Sequence, residues 1–182
     1  WAAKIQVPTF LGGAWQDEQT GSGFATLLKE LPKRPDVKIM VSNGVHSTPM
    51  EPTSLWNWIA FLDLYVGHRV PSPNRAAAIA PVIYDSILGP GYPTPPLPAN
   101  PYLGIGDYNE ARHVYESQPR VRVLMENGAG SPTVGLPAPR YELGFAKWPP
   151  PGARQTAWYL GAGGTLNKQR PVADGFDSYN PD

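Results

Sequence analysis

The stretch that decides the fold is KIQVPTFLGGAWQDEQTG, residues 4–21. An apolar, β-branched run ends in Gly12 and Gly13, and a tryptophan and two adjacent acids follow it. A proline near the start and glycines at the end of such a run are typical of a buried β-strand. The sequence therefore predicts a strand that ends just before Asp17 and leaves this carboxylate in the loop beyond it.

A second strand is predicted about thirty residues further on. DVKIMVSNG, residues 36–44, is again apolar and β-branched, and His46 follows it. Between the two strands, residues 22–33 read SGFATLLKELPK and carry apolar residues at the i, i+3, i+4 and i+7 positions of an amphipathic helix. Strand, helix and strand make a βαβ unit, in which we expect the two strands to run parallel.

Asp17 and His46 occupy equivalent places in this unit, each in the loop after a strand. Because the carboxyl ends of parallel strands meet at one edge of a sheet, we expect the two side chains to lie close together. An acid that orients a histidine is part of a nucleophile, base and acid arrangement. Two alternatives stay open: each residue alone is an ordinary loop residue, and Glu18 could replace Asp17 as the acid.

A nucleophile to complete that arrangement is missing from the sequence. G-x-S-x-G does not occur, and Ser22 and Ser47 do not stand on a predicted strand-to-helix turn. The three histidines lack the spacing of a metal site, and there is no cysteine. GIGDYN, residues 104–109, lacks the third glycine of a dinucleotide fingerprint. We expect no cofactor and no metal.

The remainder of the chain falls into a helical part and a strand-rich part. Helical patterns cover residues 51–69, 74–88 and 107–117, and six prolines lie between residues 90 and 101. After Pro119, residues 120–128, 140–148 and 156–164 resemble strands of an antiparallel, β-rich domain. We place one domain at residues 1–118, with a proline-rich arm at 90–101, and a second at residues 119–182.

The composition narrows the classes of partner. The 15 basic and 15 acidic residues give no net charge, so there is no electrostatic signature for nucleic acid or for an anionic membrane. No apolar run approaches the roughly 20 residues of a membrane span. We expect neither partner, and cytoplasmic and secreted locations both stay open. The opening, WAAKIQVPTF, is expected to lie inside a longer polypeptide.

Five segments together resemble a known family. They are IQVPTFLGGAWQDEQTG, VSNGVHS, LWNWIAFLDLYVGHR, VRVLMENG and WPPPGARQTAWYLGAGGTL. In this order they are similar to the cocaine esterase-like and X-prolyl dipeptidyl peptidase-like serine hydrolases. The resemblance implies an α/β class: the C-terminal portion of an α/β-hydrolase parallel sheet, followed by part of a β jelly-roll domain.

The resemblance also implies a function. Asp17 and His46 match the triad aspartate and histidine of those proteins, so the chain is expected to supply these two residues to a serine hydrolase. Such an enzyme cleaves an ester or amide through an acyl-enzyme, with a small-molecule or peptide substrate, and the remainder of the hydrolase chain would be its partner. Trp15 is the candidate substrate-binding residue, and the isolated segment is expected to be inactive.

A non-catalytic alternative comes from the aromatic residues. These side chains could form a carbohydrate- or peptide-binding surface on the β-rich part, which would make the chain a binding or interaction module. The competing explanation is that they pack in a core. The aromatic residues concerned are Tyr102, Tyr141, Trp148, Trp158 and Tyr159.

Overall fold

The computed structural model describes residues 1–91, 93–133, 136–173, 175–176 and 178. The chain forms two compact units, Trp1–Pro151 and Gly152–Asp182. The first holds a four-stranded sheet and three α-helices, so this part is a mixed α/β fold.

The sheet is parallel across its first three strands. Strand β1 (Thr9–Ala14) pairs in parallel with β2 (Val37–Ser42), from Thr9 opposite Val37 to Ala14 opposite Ser42. Strand β3 (Val121–Met125) lies parallel to β2 on its other side. Strand β4 (Tyr141–Phe145) closes the order β1-β2-β3-β4 and is antiparallel to β3. The two strands predicted in residues 4–21 and 36–44 are confirmed, and so is their parallel pairing.

The connection between β1 and β2 is not the predicted α-helix. Residues Ser22–Thr26 form a 3₁₀ turn, and further turns follow it. An isolated helix of this length is marginal in water, and Gly23 and Pro32 weaken it further. Two of the apolar side chains are buried nonetheless, since Leu28 is 0% and Leu31 3% exposed, whereas Leu27 is 39% exposed. The pattern was therefore right about Leu28 and Leu31 and wrong about Leu27 and about the helix.

Three α-helices follow where helical patterns were found. They are α1 (Pro52–Tyr65), α2 (Pro73–Leu88, with Pro81 inside it) and α3 (Tyr108–Ser117). Helix α1 is capped by the side chain of Glu51, which accepts hydrogen bonds from the backbone N–H groups of Thr53 and Ser54. Pro52 occupies the first helical position, so the cap lies one residue before it, and Thr53 and Ser54 are the donors to that cap.

Two apolar clusters form the core of the first unit. One is built mainly on the sheet and the segment before β2, and we call it the sheet cluster; its buried members are Leu28, Leu31, Val37, Ile39, Val41, Val121 and Val123. The other is built on the helices, and we call it the helix cluster; its largest fully buried side chains are Leu55, Leu64 and Tyr115. Phe10 of β1 and Phe61 of α1 touch at a ring-centroid distance of 5.9 Å.

The proline-rich residues contain no helix or strand where residues 90–101 are described, and Tyr92 lies outside that description. The chain after the proposed boundary at residue 118 continues the same sheet, since β3 lies beside β2. The prediction that residues 120–128 form an antiparallel strand is therefore confirmed for the pairing of β3 with β4 and wrong for its pairing with β2. The boundary and the jelly-roll assignment of residues 119–182 stay predictions.

The second unit contains a short hairpin. Strands β5 (Tyr159–Gly161) and β6 (Thr165–Asn167) pair antiparallel, with Tyr159 opposite Asn167. Most of its side chains are exposed, among them Trp158 at 54% and Leu160 at 82%. This unit therefore has little core of its own in the residues that are described.

Candidate functional site

The ends of β1 and β2 bring Asp17 and His46 together. Backbone pairing continues past the strands: Trp15 N donates to Ser42 O and Gln16 N to Gly44 O, both at 3.0 Å. The two loops leave the sheet side by side, and Asp17 Oδ2 lies 2.9 Å from His46 Nδ1. The expectation that the two side chains share one edge of the sheet is confirmed.

Local hydrogen bonds keep the Asp17 carboxylate ionised. Its Oδ1 accepts from the backbone N–H groups of Gln19 and Thr20, both at 2.8 Å, and its Oδ2 accepts from Thr20 Oγ1 at 2.7 Å. The Thr20 backbone N–H bond acts most strongly. Together with the Thr20 hydroxyl, His46 and Gln19 bonds it holds the pKa of Asp17 well below its usual range, while desolvation acts in the opposite direction.

This ionisation fixes the proton on the imidazole. A carboxylate can only accept, so His46 Nδ1 must carry the hydrogen that bridges to Asp17 Oδ2. In the neutral ring, Nε2 is then an acceptor with an available lone pair. The His46 side chain is 44% exposed while that of Asp17 is 9% exposed, so the carboxylate is inside and the imidazole faces solvent.

Glu18 has a different role from the one considered in the sequence. Its Oε2 accepts a hydrogen bond from the backbone N–H of His46 at 3.2 Å, and it is Asp17 that bonds the ring. The two adjacent acids therefore hold one histidine by its main chain and by its side chain. The alternative that Glu18 replaces Asp17 is not what the geometry shows.

A close approach of backbone and side chain positions the histidine loop. A Cβ on Gly44 would overlap the side chain of Thr48, which is 1% exposed and begins the 3₁₀ turn Thr48–Met50. Gly13 has a similar place in β1, because a Cβ there would lie 2.6 Å from the Phe24 ring. At Gly44 only glycine fits, because the contact reaches the Cβ of Thr48, whereas at Gly13 the half-buried Phe24 ring would have to shift.

Trp15 lies in an aromatic cluster of the first unit. Its ring centroid is 6.4 Å from that of Phe24 and 6.1 Å from that of Trp148. The residue is half-buried and packs against the sheet cluster. Its assignment as a substrate-binding residue stays a prediction.

The site has the chemistry of an oriented base. Within the described part of the chain, neither Ser22 nor Ser47 bonds the His46 ring, and the structure gives Nε2 no hydrogen-bond partner there. Over the same residues, no group of three His, Asp or Glu side chains could hold a metal ion. The arrangement can accept a proton or a hydrogen bond from a group that reaches it from solvent.

Sequence reasoning missed the contribution of Thr20. An acid followed three residues later by threonine, as in Asp17 to Thr20, is the pattern of a local turn in which the carboxylate accepts backbone N–H groups. This pattern would have predicted both the lowered pKa of Asp17 and the direction of its side chain.

Where residues are described, no helix is both long and apolar enough to cross a membrane.

One family model matches the chain. Residues 112–182 are similar to the model described as the X-Pro dipeptidyl-peptidase C-terminal non-catalytic domain. This match supports the relation to X-Pro peptidase-like proteins, and it does not extend to their catalytic α/β-hydrolase portion. No curated protein and no solved structure matches the chain.

The match corrects the function expected from the sequence. A serine hydrolase that works through an acyl-enzyme, with this chain supplying two triad residues, was the expectation; the matched domain is non-catalytic. Asp17 and His46 are only two of the three residues of a triad, and the family resemblance extended this partial pattern to the activity of a whole enzyme. The match still supports a relation to X-Pro peptidase-like proteins. It does not support the expectation that this chain supplies triad residues.

Proposed function

We propose that this chain is a non-catalytic module of an X-Pro dipeptidyl-peptidase-like protein. The observation that carries the proposal is the match of residues 112–182 to the non-catalytic C-terminal domain of that family. These residues hold α3 from Arg112 onward and all strands from β3 to β6. The module's task is structural: it docks onto other parts of a peptidase-like protein.

The hairpin of the second unit supports docking. An isolated two-stranded hairpin is at best marginally stable in water, so β5 and β6 need a covering surface. Leu160 is 82% and Leu166 59% exposed, and these apolar side chains are opposite each other across the hairpin. Tyr141 and Trp158, two of the five candidate aromatics, are also exposed, whereas Tyr102 is buried.

For the site residues we propose roles that do not require catalysis by this chain. Asp17 positions His46, and His46 offers Nε2 to a hydrogen-bond donor of the docked partner. Trp15 packs against Phe24 and Trp148 and forms an apolar surface next to the loop that carries Asp17. The observation in favour is the bond of 2.9 Å between Asp17 and His46, with only the imidazole facing solvent.

Turnover by the chain tests the proposal. The protein is incubated with an X-Pro dipeptidyl p-nitroanilide and with a p-nitrophenyl ester, beside a His46→Ala variant. We expect no turnover above the variant's rate with either substrate. Hydrolysis that His46→Ala abolishes would show a catalytic chain and would end the proposal.

A further inference from the structure

A small cavity between the sheet and α3 contains an unusual set of polar groups. Its lining includes Phe10 of β1, Lys38 of β2, Tyr115 of α3 and Arg122 of β3. Its empty volume is about 200 Å³, with open solvent at its mouth included. The enclosed part of the cavity is smaller than this, so it suits a ligand of very few atoms.

Lys38 is a buried cation in this cavity. The residue is 5% exposed, and its Nζ donates to the carbonyls of Glu116 at 3.2 Å and Gln118 at 2.7 Å. An ammonium has three donors, so one N–H is left after these two bonds. Lys38 makes no ion pair with a carboxylate among the residues that the structure describes.

Further positive charge surrounds Lys38. Burial, opposed in part by the charge of Glu116, lowers the pKa of Lys38 to about 8, and the charges of Arg122 and Arg120 act in the same direction as burial. Arg122 is paired with Glu142, but Arg120 is 7% exposed and donates only to the Leu31 carbonyl where contacts are described. The region therefore has more buried positive than negative charge.

Tyr115 adds a donor that has no partner. Its residue is 1% exposed, and its hydroxyl makes no hydrogen bond within the described structure. The Lys38 Nζ lies 5.2 Å from the centroid of its ring. A buried hydroxyl without a partner is costly, and Tyr115 lines the same cavity as Lys38.

From these observations we propose that the cavity is a binding site for a small monovalent anion of the halide class. The remaining N–H of Lys38 and the hydroxyl of Tyr115 donate to the anion, and its charge balances the buried cations. The apolar and cationic lining excludes small metal cations, and the volume excludes organic ligands with more than a few atoms. The anion ties β2 to α3, so it stabilises the fold.

Bromide is the probe for the test. The thermal midpoint of the protein is followed as sodium bromide replaces sodium gluconate at constant ionic strength, and crystals grown in bromide are measured at the bromine absorption edge. We expect a saturable rise of the midpoint and an anomalous peak in the cavity beside Lys38 and Tyr115. A midpoint that is the same in both salts, or anomalous peaks only elsewhere, would overturn the proposal.

Matched tyrosine variants separate the site from general salt effects. Tyr115→Phe removes the donor and retains the ring, so bromide affinity should fall about tenfold or more, the effect of a hydrogen bond to a charged group. Tyr84→Phe is the control, since Tyr84 also has a buried hydroxyl without a described partner but does not line the cavity. Equal bromide affinity in the two variants would refute the assignment.

The pH dependence gives an independent readout. Burial raises the pKa of Tyr115 well above its usual value and lowers that of Lys38, so Lys38 is the cavity group that changes charge first on the alkaline side. Bromide should bind more weakly at about pH 9.5 than at about pH 7, because the ammonium loses its proton as the pH rises past its lowered pKa. Affinity that does not change between these values would contradict a role for Lys38.

Discussion

Asp17 accepts four hydrogen bonds, from the Gln19 and Thr20 backbone, the Thr20 hydroxyl and His46. This network, rather than the histidine alone, determines the state of the carboxylate, since the Thr20 backbone bond contributes most to its lowered pKa. The carboxylate in turn determines which nitrogen of His46 carries the proton. The hydrogen bonds thus set the ionisation of Asp17, and Asp17 sets the tautomer of His46, which leads to two predictions.

Asp17→Asn should reverse the tautomer of His46. The asparagine Oδ1 would accept the backbone bonds of Gln19 and Thr20, so its NH₂ would face His46 Nδ1 as a donor. We expect Nδ1–H in the native protein and Nε2–H in the variant, measured by ¹⁵N NMR of the neutral ring. Glu18→Gln is the control that keeps Nδ1–H, because Glu18 bonds only the backbone of His46. An unchanged tautomer in Asp17→Asn would contradict the geometry.

Asp17 should also contribute to the dependence of stability on pH. Its folded pKa lies below its ordinary value of 3.8, so its stabilisation is present above that value and is lost as the pH falls through the folded pKa. The difference in unfolding free energy between the native protein and Asp17→Asn should shrink as the pH is lowered from about 6 to about 2. Urea titrations at several pH values measure it. A difference that stays constant would show that the Asp17 bonds do not favour the ionised form.

At the scale of elements, the sequence predicted the strands and α-helices well and the connection after β1 poorly. Of the Phe24 to Leu31 pattern, Leu28 and Leu31 are buried and Leu27 is exposed, and turns rather than an α-helix carry these residues. Periodicity indicated some of the side chains that face the core, and it does not fix the backbone of a segment this short. The contact of Gly144 with the Pro119 side chain joins residues far apart in the sequence, so it has no local signal.

Gly44→Ala should destabilise the histidine loop. Its Cβ would overlap the Thr48 side chain, which is buried and cannot move aside, so we expect a loss of about 1–3 kcal/mol in unfolding free energy. The control is Gly106→Ala, because a Cβ there meets nothing within 4 Å. Urea unfolding compares the two. Equal stability of the variants would show that the loop adapts and that Gly44 does not position His46.

The hairpin of the second unit should be the less protected sheet. Strand β2 is buried along its whole length and pairs on both sides, whereas β5 and β6 pair only with each other in the described residues. Hydrogen exchange followed by mass spectrometry should show that the amides of Tyr159–Asn167 exchange orders of magnitude faster than those of Val37–Ser42. Similar protection of both segments would contradict the need for a docking surface.

At the scale of the whole molecule, the sequence predicted part of the site, whereas the rest of the site and the function required the structure and the family comparison. Asp17 and His46 could be placed from strand spacing alone, because parallel strands bring their ends together. The buried Lys38 and Tyr115 could not, since alternation in β2 does not reveal a lysine on its buried side. Function could not be predicted either: a pattern of two residues fits an enzyme, and the matched domain over residues 112–182 is non-catalytic.

The central claim, that this chain is a non-catalytic module, is tested most directly by active-site titration. The protein is treated with an excess of a fluorophosphonate, and the intact mass is measured beside that of the His46→Ala variant. The account predicts no adduct in either protein, because no serine of the described chain is bonded to His46. One adduct per chain on a serine, absent from His46→Ala, would contradict it.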